Sequence, residues 1–154
     1  MSRAFVKEGD GADGEPPAEL QVSPHRNLVT AEGLAQIESQ VDRLRSELSA
    51  ARTAEDRGAV QRIQRDLRYW SERQRTAEHV PQAAPGGKAR FGSTVALEKP
   101  DGSRIAYHIV GEDEADPAQG RISYVSPLAR RLIGAALDDE IELPEGSAVI
   151  VEIR

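Results

Sequence analysis

Mostly apolar residues in the first half of the chain recur at alternating steps of three and four: Leu34, Ile37, Val41, Leu44, Leu48 and Ala51, then Val60, Ile63, Leu67, Trp70, Gln74 and Ala77. That spacing makes the narrow seam of a heptad repeat rather than the broader stripe of a globular helix. If the two runs fold back on each other, 34 faces 77, 37 faces 74, 41 faces 70, 44 faces 67, 48 faces 63 and 51 faces 60, each pair of numbers adding to 111. The constancy predicts an antiparallel coiled-coil hairpin over residues 28–80 with its tip near 55–58. Glu55 and Asp56 then sit at the bend, beside Gly58, the residue best able to take an unusual backbone angle. Thr30 is placed to cap the first helix, and Glu32 lies favourably in its first turn. At about 1.5 Å per residue, each arm extends roughly 30 Å.

Beyond residue 90 the period changes to that of strands. Ser93 to Glu98 and Arg104 to Val110 flank Pro100-Asp101-Gly102, where proline presets one backbone angle and glycine permits a positive one, so a β-hairpin is expected. Arg121 to Val125 predicts a third strand. Ser126-Pro127 then supplies an N-cap followed by the residue best tolerated at the first helical position. That helix ends near Gly134, with Leu128, Leu132 and Ile133 facing inward and Arg130 and Arg131 near its surface. Glu140 to Leu143 and Ala148 to Ile153 complete the sheet across a Pro-Glu-Gly turn. The fold class is therefore α+β: the helical hairpin, then a compact unit of antiparallel strands around one short helix over residues 90–154.

Two stretches interrupt these patterns. Residues 1–27 are rich in Gly, Pro and acidic residues with little apolar surface to offset ordering, and predict a disordered tail. Residues 81–89 (PQAAPGGKA) repeat that composition and predict a linker. The chain of 154 residues contains no Cys, which excludes disulfides, thiolate zinc sites and thiol nucleophiles and fits a cytoplasmic protein. No apolar run approaches the roughly 20 residues of a membrane span. The net charge of −6 argues against a general nucleic-acid binder. Charge is unevenly placed: residues 28–80 hold nine bases and nine acids, and every one of those bases is Arg.

At FGSTVALEKPDG (91–102), IVGEDEADPAQGRIS (109–123) and SPLARRLIG (126–134), the chain resembles the C-terminal domain of the Gre transcript cleavage factors. LVTAEGL (28–34) resembles the opening of that family's helical hairpin. The layout also resembles a short-hairpin relative, the regulator of nucleoside diphosphate kinase. The resemblance implies an FKBP-like sheet domain that docks on bacterial RNA polymerase at the rim of its secondary channel, with the hairpin passing inward. It further implies that tip carboxylates help hold a magnesium ion in the polymerase active centre, so that the polymerase hydrolyses backtracked RNA. Magnesium is a hard cation that keeps several waters and takes one or two carboxylates, which is why clustered oxygens matter.

On those terms Glu55 and Asp56 are the candidate tip carboxylates, although the family pattern sets its Asp and Glu three positions apart and this chain has Ala59 there. The hairpin is also shorter than the usual family form, by about one helical turn per arm, or roughly 5–7 Å. Ser126 and Pro127 match a family position at the helix start that contacts polymerase, with the helix cap as their alternative role; Arg130 follows the same family motif, with a solvated helix charge as its alternative. Arg57, Arg62, Arg65 and Arg68 form a basic strip comparable to the family's patch facing the RNA 3′ end, or else ordinary mixed charge on a coiled-coil flank. Glu112-Asp113-Glu114-Ala115-Asp116 lacks calcium-loop spacing and is expected to be an acidic surface loop. No catalytic arrangement of Ser, His and acid exists, so the chain is expected to be no enzyme, to hold no metal or cofactor alone, and to take no small-molecule substrate. Three functions stay open: an elongation regulator occupying the channel, an activator of transcript cleavage, and a hairpin that binds some partner other than polymerase.

Overall fold

The computed structural model describes residues 14–154. Element order is β1 (Leu28–Val29), α1 (Ala31–Thr53), α2 (Arg57–Thr76), β2 (Glu78–His79), β3 (Thr94–Glu98), β4 (Arg104–Val110), β5 (Arg121–Ser123), α3 (Pro127–Leu132), β6 (Glu140–Leu143) and β7 (Gly146–Ile153). Contacts divide it into two compact units: one of residues 36–76 together with the described residues up to Pro24, the other of residues 25–35 and 77–154. The roots of the hairpin thus belong with the C-terminal sheet. No helix among the described residues is long and apolar enough to cross a membrane.

In the helical unit the α1 seam is buried at Ile37, Val41, Leu44, Leu48 and Ala51. On α2 the seam positions Val60, Ile63, Leu67 and Trp70 are half-buried. The expected pattern fails at its next step, because Gln74 is exposed and Arg73 is buried instead. A long arginine stem can cover apolar surface that a glutamine amide would leave polar. Leu48 and Arg52 of α1 line a common groove of about 560 Å³ with Leu67, Arg68 and Arg75 of α2.

The tail expected over residues 1–27 lies outside the described residues as far as residue 13. From 14 the chain has neither helix nor strand before β1, yet Glu19 pairs with Arg68 and Asn27 is buried. At the expected linker's end, Ala89 is buried and its carbonyl accepts from the Gly134 amide, so the boundary with the sheet unit falls before it.

The C-terminal unit is a five-stranded sheet ordered β5-β4-β3-β7-β6. Val95, Leu97, Ile109, Ile122, Ile141, Leu143, Ile150 and Ile153 make its core with Ala129 and Leu132 of α3. Strand alternation sets this: β6 reads exposed, buried, exposed, buried from Glu140 to Leu143. Two expectations are corrected. β5 pairs with β4 in parallel, so the sheet is mixed. Ile133 is 39% exposed, and Ala129 takes the inward place, because the helix ends at Leu132 and its cap turns Ile133 away. A further parallel pair, β1 with β2, was not expected from the sequence.

The acidic run 112–116 is also corrected, since Glu114 is buried. Its carboxylate accepts from the Thr30 amide at 3.1 Å, the Gly111 amide at 3.0 Å and the Thr30 hydroxyl. Thr30 in turn accepts from the Gly33 amide at 3.0 Å, capping α1 as expected. A buried carboxylate is tolerable only with such donors. Gly33 makes room for it, because a Cβ there would fall within the Glu114 carboxyl group.

Gly33→Ala should therefore destabilise the protein by about 2–4 kcal/mol in urea denaturation, although alanine is favoured over glycine inside a helix by about 1 kcal/mol. Removing the obstructing group in a Gly33→Ala/Glu114→Ala double variant should cost clearly less than the sum of the two single losses. A neutral or stabilising Gly33→Ala would contradict the packing described.

Candidate functional site

The bend between α1 and α2 takes three residues, 54–56. Helix ends leave carbonyls and amides without intrahelical partners, and so short a link must satisfy both sets. The Glu55 amide donates to the Arg52 carbonyl at 3.1 Å and the Asp56 amide to the Ala51 carbonyl at 3.0 Å. This is the Schellman pattern, whose central residue adopts a left-handed conformation usually given to glycine. Here that residue is Glu55, with φ of 54°. Gly58, expected to supply the unusual angle, instead lies in the first turn of α2. Asp56 then caps α2: its Oδ1 accepts from the Ala59 amide at 3.0 Å, and its carbonyl from Val60 at 2.9 Å.

The two tip carboxylates are thus adjacent and exposed but unequal. Asp56 has one oxygen committed to the helix, whereas Glu55 extends from a strained backbone with its carboxylate uncommitted among the described residues. A cleft of about 530 Å³ beside them is lined by Arg52, Glu55, Arg57, Val60 and Gln61. Two arginines thus share that cleft with Glu55. No group of three or more His, Cys, Asp or Glu side chains able to hold a metal occurs among the described residues.

The basic strip falls on α2, with unequal engagement. Arg65 pairs with Asp66 at 2.8 Å. Arg68 reaches Glu19 through Nε, at 3.0 and 3.1 Å to the two carboxylate oxygens, and also through its terminal nitrogen. Neither Arg57 nor Arg62 has an ion pair among the described residues. The Arg68 hydrogen bond, offset in part by desolvation and aided by the charges of Arg68 and Arg65, holds the Glu19 carboxyl below the usual carboxylate range. That contact is complete above the range of a free carboxylate and is lost as pH falls through the lowered value.

In the other unit, α3 begins as its sequence dictates. The Ser126 hydroxyl accepts from the Ala129 amide at 3.2 Å, and Pro127 occupies the first turn, where no amide is missed. Ser126 is half-buried, whereas Pro127 and Arg130 are exposed. Arg131, one step on, donates to the Glu142 carbonyl at 3.1 Å, which ties it to β6 and leaves Arg130 as the outward cation of this helix. Glu19 is the participant that sequence reasoning missed, because it lies 49 residues from its partner in a stretch without periodicity.

Residues 84–154 match the family model described as transcription elongation factor, GreA/GreB, C-term. Transcription elongation factor GreB of Haemophilus ducreyi is 43% identical over 95 residues, covering 58% of this chain and 57% of that protein. Transcription elongation factor GreA of Zymomonas mobilis is 51% identical over 63 residues, covering 41% of this chain and 40% of that one. The chain thus spans about half the length of the curated relatives it matches. Among solved structures, the GreA factor homolog 1 protein of Thermus thermophilus aligns over 84% of this chain and 99% of its own, at 22% identity and a TM-score of 0.41.

The unequal roles at the bend predict opposite effects. Glu55→Gly should stabilise the hairpin by about 0.5–1 kcal/mol by relieving the left-handed strain, and Asp56→Ala should destabilise it by about 1 kcal/mol through loss of the cap. Hydrogen exchange of α2 amides reads both; equal effects of one sign would refute the division of labour.

Proposed function

We propose, from the premise that this chain belongs to the Gre factor family, that it is a cytoplasmic regulator of transcription elongation that binds bacterial RNA polymerase at the secondary channel. The C-terminal unit supplies the docking surface through Ser126, Pro127 and Arg130, and the hairpin enters the channel. Ser126 can cap and contact at once, since capping uses its hydroxyl as an acceptor and leaves the hydroxyl proton to donate. The chain carries out no chemistry of its own in this reading.

The observation that carries the regulatory form of the proposal is the chemistry of the bend. A tip that delivers magnesium to a second active centre needs clustered anionic oxygens with no competing cation. Asp56 has one oxygen spent on α2, and two cations, Arg52 and Arg57, line the same cleft as Glu55. Alone, these residues do not fit a magnesium site. Occupation of the channel by a bend of mixed charge needs only the hairpin itself. Stimulated cleavage of backtracked RNA is the second reading, supported by the adjacency and exposure of the two carboxylates.

Halting purified polymerase in a backtracked complex and following RNA length separates them. The expected result is no shortening when this protein is added, together with competition against an authentic cleavage factor. Shortening that disappears in a Glu55→Ala/Asp56→Ala variant would replace the regulatory reading with the cleavage reading. Pro127→Arg should weaken co-purification with polymerase at least about tenfold, the effect of a bulky charge in a buried contact. Unchanged binding would exclude α3 from the interface.

A further inference from the structure

The segment before β1 is not merely a tail, because it lies against the arginine-bearing side of α2. Residues 15–22 adopt neither helix nor strand, and Pro16-Pro17 limits their backbone freedom. Glu19 accepts from one edge of the Arg68 guanidinium, through Nε and one terminal nitrogen, and its charge also interacts with Arg65. Leu20 and Val22 remain 41% and 42% exposed. Charge, then, rather than apolar burial, holds the segment in place. The paired side chains are themselves 56% and 61% exposed, which makes the contact one of the weak, salt-screened kind.

The sequence reinforces this reading. Residues 1–24 carry Glu8, Asp10, Asp13, Glu15 and Glu19 against Arg3 and Lys7. Glu19 offers Arg68 what a phosphate group offers, anionic oxygens able to accept from a planar guanidinium fork. Toward the tip Arg57 lies on the same side of α2 as Arg68, eleven residues or about three turns away, and it has no ion pair among the described residues.

We propose that the acidic N-terminal segment is a built-in, displaceable cover of the α2 arginine face, and that the ligand it excludes is the phosphate backbone of single-stranded RNA. This rests on the reading of the hairpin as a channel-entering element only for its physiological setting; the competition itself is a property of the isolated chain. While Glu19 holds Arg68, RNA must displace the segment to gain that contact.

The test uses the full chain and an end-labelled single-stranded RNA oligonucleotide, followed by fluorescence anisotropy at low salt. Glu19→Gln should tighten RNA binding by about two- to fivefold, the range expected for releasing one exposed ion pair. Arg68→Gln should weaken it, and Glu19→Gln placed on the Arg68→Gln background should change nothing further. Glu47→Gln removes an equally exposed acid, paired with Arg43 on α1, and controls for net charge. The cover is overturned if Glu19→Gln leaves RNA affinity unchanged, if it acts equally with and without Arg68, or if Glu47→Gln tightens binding as much. Polymerase co-purification is measured in parallel. If Glu19→Gln tightens polymerase binding but not RNA binding, the excluded ligand is an acidic or polar protein surface and the RNA assignment fails. If no variant binds polymerase while the RNA cycle behaves as expected, the cover stands and the polymerase reading falls.

Discussion

Reversing one helix into another within three residues is the constraint on which the hairpin depends. The last carbonyls of α1 and the first amides of α2 meet at the same place, and water alone is a poor substitute for a fixed partner in so tight a link. The chain solves this with two acidic residues. Glu55 takes the left-handed conformation that closes α1, and Asp56 lends its side chain to open α2. The same two carboxylates are the ones a functional argument selects. Any change at Asp56 therefore acts first on the opening turn of α2 and only then on whatever the tip meets. Separating the two requires a structural readout beside a functional one.

Much of the architecture was legible because it is periodic. The α1 seam is buried from Ile37 to Ala51 because those side chains are apolar and recur at one angular position, so the pattern alone determines which face is covered. The strands of the C-terminal sheet were found for the same reason. What escaped was what periodicity does not encode. The seam numbers centre the turn at Glu55 and Asp56, but Gly58 attracted the unusual backbone angle because glycine tolerates positive φ, and that angle falls at Glu55. Arg73 escaped because a charged residue scores as polar although its stem of methylenes can cover apolar surface. The direction of β5 is absent from its alternation, since a strand buries the same side chains whichever way it runs.

Glu114 shows how distance in sequence hides a site. Its neighbours are acidic and suggest a solvated loop, but its partners at Thr30 lie 84 residues away. The start of α1 is fixed by the Glu114 carboxylate, and the first turn of that helix accordingly falls in the same compact unit as the sheet. Gly33 and Gly111 are small for a shared reason: at the first a side chain would overlap the Glu114 carboxyl, and at the second it would meet the Leu28 carbonyl oxygen. Neither glycine needs a positive φ there; each supplies clearance. The candidate docking residues share that unit, which gives α3 a rigid mount on the sheet through buried Ala129 and Leu132.

The choice of arginine for every base of residues 28–80 bears on how the α2 face can be controlled. A lysine can lose its proton when desolvated, and a histidine can lose it near neutrality, but a guanidinium stays charged under any condition the folded chain survives. Titrating the cations cannot therefore switch such a face off. It can be silenced only by placing an anion against it. Asp66 does this locally for Arg65, at a fixed position on the same helix. Glu19 does it for Arg68 from a segment outside the helix, through an exposed pair, and that difference separates an ion pair fixed within one helix from one that a stronger polyanion can replace.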